Sequence, residues 1–209
     1  MHYLLRGFLL MICLSLPAKA QASDNLMALS ISPISPIFGG VDLLYQIKVT
    51  DFLAITVPGS FYYPWFLKSA VNFFVDKGVN IKTTKTPLNW ATGLGAKFLI
   101  AGKGISDSFY VEPRVMLGYS QVGFAYQGKK LESSLYRVTP LLRAGWDIVC
   151  DSGFFMTLGL GAGINIFFNN DTTIPLDIED KFAIKFLLPP RSQKINFAWD
   201  GEFKIGYAW

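Results

Sequence analysis

The last fifteen residues of the chain alternate between two kinds of side chain without interruption. Every second position from Ile195 to Trp209 is apolar, aromatic or glycine, and the positions between them are polar or small. Successive side chains of a β-strand point to opposite faces, so this segment predicts a strand with one aromatic face and one charged face. A strand this long that ends on an aromatic residue restricts what the rest of the chain can fold into.

The same period of two recurs along the whole sequence. Counting the last segment, eight segments show it: 27–32, 41–49, 53–61, 90–100, 111–120, 136–148, 154–166 and 195–209. Segments of about ten alternating residues separated by turns are typical of a transmembrane barrel. We therefore predict an all-β fold, an eight-stranded antiparallel up-and-down transmembrane β-barrel. Pro58 makes the third strand the weakest prediction, because proline donates no hydrogen bond to a ladder.

The links between the segments differ in length. Short links follow the second, fourth and sixth segments, and longer links, 62–87, 127–134 and 169–193, follow the third, fifth and seventh. This rhythm is expected when both termini are periplasmic and the long loops face outward. The apolar segment 62–85 fits a short interfacial helix, a lid or a partner-binding knob, and it fits equally well an extension of the strands beyond the membrane that packs on itself, so its role stays open.

The start of the chain is typical of a secretory signal peptide. Arg6 provides a short positive region, Phe8–Leu16 an apolar core, and Ala18–Ala22 two overlapping small-x-small cleavage sites. We therefore expect residues 1–22 to be a cleaved signal peptide and residues 23–209 to form one barrel domain.

Composition narrows the class of protein further. Apolar residues make up 51% of the chain and its mean hydropathy is +0.34, yet no run of about 18 apolar residues follows the leader. Such a chain must bury its apolar surface in a core or present it to lipid as a closed barrel. The net charge of +4 falls to +2 when Arg6 and Lys19 are removed, so we expect no nucleic-acid partner. Cys150 is the only cysteine after the leader, which excludes an intramolecular disulfide.

Aromatic residues concentrate near the predicted strand ends. Four of them, Trp90, Tyr136, Trp146 and Trp199, are expected at the two membrane–water interfaces, where aromatic girdles border such barrels. The opposite face of each strand then points into the lumen and is crowded with charge. Eleven charged residues are predicted there: Asp42, Lys48, Lys97, Glu112, Arg114, Arg137, Arg143, Asp147, Asp200, Glu202 and Lys204.

Two alternatives depend on how these faces are used. A secreted lipocalin-like barrel has the same strand number and period but the opposite phase, with its apolar face inside. Within the membrane interpretation, the lumen charges form either a plug of ion pairs or a polar track for ions or a small solute. An eight-stranded barrel is just wide enough for side chains to fill it, and buried charges must be paired, which favours the plug.

The terminal positions Phe203, Ile205, Tyr207 and Trp209 resemble the last strand of bacterial outer-membrane β-barrels. Over nearly its whole length the chain resembles the small OmpA/OmpX-like barrels. The resemblance implies location in the bacterial outer membrane, recognition of those four residues by the barrel-assembly machinery, and contact with outer-membrane lipids and lipopolysaccharide. We also expect a monomer, and any extracellular partner stays unidentified.

The resemblance leaves the activity open. Barrel enzymes that act on outer-membrane lipids resemble this chain in architecture but rely on a histidine, and the only histidine, His2, lies in the leader. We therefore predict a non-enzymatic protein without cofactor or metal, whose long loops serve envelope integrity or surface contacts. The alternative is a narrow channel or a carrier for ions or small hydrophobic solutes.

Overall fold

The computed structural model describes residues 25–63, 82–100, 105–126, 129–168, 171 and 194–209. The predicted leader and residues 64–81 of the apolar segment lie outside these residues. Eight strands form: β1 Met27–Ile31, β2 Gly40–Thr50, β3 Leu53–Tyr62, β4 Lys82–Leu99, β5 Ser108–Tyr126, β6 Lys129–Val149, β7 Phe154–Phe168 and β8 Ile195–Ala208. A 3₁₀ helix, Ser35–Phe38, lies between β1 and β2. The predicted all-β class with eight antiparallel strands is confirmed.

Each strand pairs with the next, and β1 pairs with β8, so that one sheet closes on itself in chain order. The closing ladder is short and runs from Ala28 opposite Ala208 to Ile31 opposite Ile205. It is extended at the termini, where the backbone N–H groups of Leu26 and Met27 both donate to Trp209 O, at 2.8 and 2.9 Å. Pairing between the first and the last strand therefore closes the sheet.

Two predicted loops are too long, because β4 already begins at Lys82 inside the predicted link 62–87, and because the link after β5 is also shorter than expected. Strands β5 and β6 pair without interruption up to Tyr126 opposite Lys129, so only residues 127–128 connect them instead of the expected 127–134. The prediction failed because the alternation changes phase after Ser120, where the apolar residues move to the other set of alternate positions. Backbone pairing does not depend on that phase and continues through it.

Four prolines lie inside strands; Pro87 falls at a register shift between β4 and β5, and the other three each interrupt the sheet on one side only. Pro58, Pro113 and Pro140 have partners on one neighbouring strand, which are Leu44, Leu142 and Val115. On the opposite side the register lacks pairs at each proline and at the residue before it. The missing backbone N–H accounts for the one-sided gap. The third strand forms in spite of its proline.

The two faces of the sheet have opposite character. Lys97 and Glu112 point inward and are fully buried, whereas Leu160 points outward with 77% of its surface exposed. The phase is thus the reverse of the lipocalin-like alternative, which required an apolar interior. Charged and polar side chains fill the middle of the lumen, and large apolar side chains cover the outside.

Candidate functional site in the barrel lumen

The lumen has three levels, beginning at the end of the barrel where β1 begins and β8 ends. At this end five apolar residues pack together: Ala28, Ile105, Val149, Phe155 and Ala208. Ile105 belongs to the link between β4 and β5, yet only 2% of its surface is exposed. Alternation carries no signal for a residue between strands, so sequence reasoning missed it. The cluster closes this end of the lumen with apolar side chains.

The second level begins with one ion pair. Lys97 Nζ lies 3.0 Å from both carboxylate oxygens of Asp147 and 4.0 Å from the centre of the Tyr110 ring. The Tyr110 hydroxyl lies 3.4 Å from both Leu158 O and Thr157 Oγ1. Because Lys97, Tyr110 and Asp147 are almost completely buried, each polar group depends on these partners instead of on water.

Glu202 is the centre of the remaining network. Its Oε2 lies 2.8 Å from Arg143 Nη1, 3.2 Å from Lys204 Nζ and 3.4 Å from Arg114 Nη1. Arg114 also donates two hydrogen bonds to Glu112, of 2.9 and 3.0 Å, in bidentate geometry. Thr56 donates a further hydrogen bond to the Glu112 carboxylate. One carboxylate thus joins three cations that come from three different strands.

Two half-buried carboxylates extend the network toward the far end of the barrel. Asp200 lies 3.2 Å from Arg143 Nη1, and Asp42 lies 2.9 Å from Lys204 Nζ. With these contacts, nine of the eleven predicted lumen charges take part in ion pairs with one another. Together they fill the middle of the lumen, beyond the apolar cluster.

The other two predicted charges lie apart. Lys48 pairs with Asp51 of the adjacent turn at 2.9 Å, so the structure does not bring it into the network. Arg137 points inward, but its polar contact within the described part of the chain is Asn89 Oδ1 at 3.5 Å. Arg137 is therefore a lumen cation without a carboxylate partner among the described residues.

The third level is a cavity of about 340 Å³ in the far half of the lumen. Its wall includes Asp42, Arg137, Arg143, Asp200 and Glu202. Polar neighbours complete it: Thr139 donates to Asn165 Oδ1 at 2.7 Å, and Asn165 donates to Asn196 at 2.8 Å. The atoms Nε and Nη2 of Arg143 and Oε1 of Glu202 have no hydrogen-bond partner among the residues described.

Glycines make room for the long side chains of the network. A Cβ on Gly161 would lie 2.7 Å from Arg143 Cγ, and one on Gly159 or Gly95 would overlap Tyr110 or Glu112. The alternating glycines of β7 thus leave room for bulky lumen residues. Sequence reasoning missed Thr56, Tyr110 and Thr157 as members of the site, although their inward positions in the alternation could have identified them.

The predicted interface aromatics lie on the outer face. The exposed fractions are 37% for Trp90, 49% for Tyr136 and for Trp146, and 83% for Trp199. Trp90, Tyr119 and Tyr136 form a row across three strands, with ring centroids 6.4 and 4.8 Å apart. Nearer the termini, Phe109 packs edge-on against Trp146.

The four residues of the predicted assembly signal differ in exposure. Trp209 is 44% exposed and Phe203 and Ile205 are half-buried, whereas Tyr207 is buried. The Tyr207 ring packs against Gly153, where a Cβ would lie 2.5 Å from ring carbons. Gly153 also has a φ of +84°, which other residues rarely adopt, so the β6–β7 turn requires glycine twice over.

Comparison of the chain with protein-family models, with curated proteins and with solved structures finds no match. Among the residues described, no helix is both long and apolar enough to cross a membrane. The same residues contain no group of three or more histidine, cysteine or acidic side chains able to hold a metal ion. The features that bear on function are therefore the charged lumen and the apolar outer face.

Proposed function

We propose that this chain is a non-enzymatic outer-membrane β-barrel of the OmpA/OmpX-like kind, exported by a cleaved leader. Its lumen is plugged by charge, and its far-end loops serve envelope integrity or contacts with partners outside the cell. It works as a monomer without cofactor or metal. Its neighbours are outer-membrane lipids and lipopolysaccharide, and the barrel-assembly machinery recognises its last strand.

One observation carries the membrane part of this proposal. Every strand exposes at least one large apolar residue on its outer side, for example Leu29, Leu43, Val57, Leu94, Leu117, Leu142, Leu160 and Phe197 in chain order. Soluble monomers rarely expose continuous apolar patches larger than a few hundred Å². A surface that is apolar all round a closed sheet suits hydrocarbon, in which only helices and closed barrels satisfy their backbone.

The plug supports a structural role instead of a channel. An ion that crossed the lumen would have to pass the apolar cluster at Phe155 and then separate pairs such as Lys97–Asp147. Separating a buried pair leaves an uncompensated charge, which costs about 3–5 kcal/mol. A closed lumen leaves the loops and the outer surface as the places where the protein meets other molecules.

Insertion and conductance of the refolded chain 23–209 test both parts of the proposal. We expect the chain to insert into lipid vesicles, to migrate faster in electrophoresis when unheated than when boiled, and to give no conductance steps in a planar bilayer. Failure to insert would refute the membrane proposal. Discrete steps from inserted protein would replace the plug with the channel alternative.

Arg143→Gln separates plug from pore in a second way. In a plug, the loss of this cation leaves Glu202 and Asp200 without their shortest ion pairs, and the folded fraction falls. In a pore, the variant stays folded and its ion selectivity changes. A folded variant without any change in conductance would contradict both interpretations.

A further inference from the structure

Strand β8 is paired along its full length on one side only. On the β7 side its partners run from Ile195 to Tyr207, whereas on the β1 side they run only from Ile205 to Ala208. Residues 195–204 have no strand partner on that second side among the residues described. The wall of the barrel is therefore incomplete in its far half, between β8 and β2.

The chain after β1 bends away from this edge. Ser32 N donates to Asp42 O of β2 at 2.8 Å, and Pro33 follows it, which has no N–H to donate. Ser35 Oγ then lies 3.1 Å from Tyr62 OH at the end of β3. The segment 32–39 thus lies near β2 and β3 and does not pair with β8.

The resulting gap, which we name the slot, lies between residues 195–204 of β8 and the start of β2. Strands in a sheet are about 4.8 Å apart, so one absent strand leaves a slot roughly 5 Å wide. At the end of the slot nearest the β1–β8 pairing, Lys204 links β8 to β2, because its Nζ lies 2.9 Å from Asp42 Oδ1 and 3.3 Å from Leu43 O. A slot of that width, about the spacing of two strands, is comparable to the thickness of one extended hydrocarbon chain.

The cavity of the third level reaches the slot. Besides inward residues, its wall includes Phe197, Trp199 and Gly201, which alternate with the inward residues of β8 and belong to its outer face. These three contribute because the cavity extends around the unpaired edge of the strand. Within the part of the chain that the structure describes, the cavity thus meets the slot at this edge.

The polar groups at the other side of the cavity favour an anion. Each carboxylate of the cavity wall is already paired: Asp42 with Lys204, Asp200 with Arg143, and Glu202 with three cations. Among the described residues, Arg137 has no carboxylate partner. Within the same part of the chain, two nitrogen donors of Arg143 have no partner, and only 1% of the surface of Arg143 is exposed. Two guanidinium groups thus have donors available to a ligand. Among the described carboxylates of the cavity wall, one buried oxygen, Glu202 Oε1, has no partner.

We propose that the cavity binds a single-chain anionic amphiphile, such as a fatty acid, which enters sideways through the slot. Its carboxylate lies against Arg137 and the free donors of Arg143, and its hydrocarbon chain passes out between β8 and β2 over Phe197 and Trp199. This inference rests on the proposed function, because the hydrocarbon tail of the ligand leaves the slot at the outer face that is proposed to contact lipid. It gives the plugged barrel a ligand that does not have to cross the lumen.

A direct binding titration tests the proposal. The refolded chain, in micelles of neutral dodecyl maltoside, is titrated with the fluorescent carboxylate 11-(dansylamino)undecanoate, and laurate or dodecyltrimethylammonium is added as competitor. We expect saturable binding that laurate reverses and the cationic amphiphile does not. Equal displacement by both competitors, or displacement by the cation alone, would overturn the assignment of an anionic headgroup.

Two variants with matched controls locate the site. Arg137→Gln removes the unpaired cation and is expected to weaken binding at least tenfold, whereas Lys48→Gln, outside the cavity, leaves it unchanged. Gly201→Trp places a large side chain at the mouth of the slot and is expected to weaken binding similarly. Gly59→Trp is its control, because a Cβ added at either Gly59 or Gly201 would meet nothing within 4 Å, and Gly59 is not in the cavity wall.

The readouts separate the two proposals. Folding of each variant is checked by the heat-dependent shift in electrophoretic mobility, and insertion is checked in vesicles. A chain that does not insert contradicts the proposed function, whereas an inserted chain without saturable binding contradicts only this inference. Unchanged affinity in both Arg137→Gln and Gly201→Trp overturns it. Chemical cross-linking tests whether a second copy of the chain pairs with β8 instead. A cross-linked dimer overturns the ligand proposal in favour of that pairing if Gly201→Trp abolishes the dimer and laurate does not affect it.

Discussion

Lys97 and Asp147 face each other inside the barrel with Nζ 3.0 Å from both carboxylate oxygens, and at most 1% of either side chain is exposed. The two residues lie on β4 and β6, which are separated by one strand, so the pair bridges β5 on the lumen side. A buried pair of this kind has a large desolvation cost, and each charge relies on the other. It connects the walls of the barrel without an apolar core between them.

Breaking this pair is expected to destabilise the fold strongly. Lys97→Met leaves the Asp147 carboxylate buried without its cation, which lowers the free energy of unfolding by about 3–5 kcal/mol. Replacing both residues, as in Lys97→Met with Asp147→Leu, should recover most of that loss. Urea unfolding in micelles, followed by tryptophan fluorescence, measures both. Lys48→Met is the control, since Asp51 in its pair is 68% exposed and such pairs contribute about 0–1 kcal/mol. A double variant as unstable as the single one would contradict the argument.

Glu202 is expected to matter more than Asp200, although both contact Arg143. Glu202→Gln removes the charge shared by three cations and should destabilise the protein by about 3 kcal/mol or more. Asp200→Asn should cost about 1 kcal/mol at most, because the Asp200 side chain is 34% exposed and water replaces part of its interaction. The same urea titration ranks the two variants, and equal losses would show that the network has no centre at Glu202.

Two glycines on neighbouring strands are expected to differ in how much an alanine substitution changes stability. Gly161→Ala forces a methyl group to 2.7 Å from Arg143 Cγ and 3.2 Å from Leu142 O, so we expect a loss of about 1–3 kcal/mol. Gly201→Ala adds a methyl group with nothing within 4 Å, and should change stability by about 0.5 kcal/mol or less. Thermal unfolding of both variants measures the difference. A Gly161→Ala protein as stable as the parent would mean that Arg143 has another position available.

A single outward substitution tests the membrane setting. Leu160 lies in the middle of β7 and is 77% exposed, so in water Leu160→Arg would be almost neutral. In a bilayer, arginine on the lipid side near the midplane costs about 2–4 kcal/mol, falling to about 0–1 near the interface. We expect the large loss for Leu160→Arg in vesicles and a small one for Phe52→Arg in the β2–β3 turn. Equal, negligible effects of both variants would argue against lipid around this face.

Sequence reasoning recovered those parts of the fold that repeat along the chain. Alternation located all eight strands because burial on one side of a sheet has a period of two. It failed beyond Ser120, where the phase of the alternation reverses while the backbone ladder continues to Tyr126. It also identified Lys97, Glu202 and the other inward charges as residue types, without their partners. Which cation meets which carboxylate depends on the stagger between strands, and period alone does not encode stagger.

The sequence by itself determined the strand number, the antiparallel order and the two contrasting faces, because each follows from local alternation and short links. The tertiary structure decided the rest through contacts between distant residues. It placed Ile105 in the lumen, separated Lys48 from the network, and left Arg137 without a carboxylate among the described residues. It also left residues 195–204 of β8 without a strand partner on the β1 side among the described residues. These features depend on where a closed sheet brings its strands together, so no segment carries them alone.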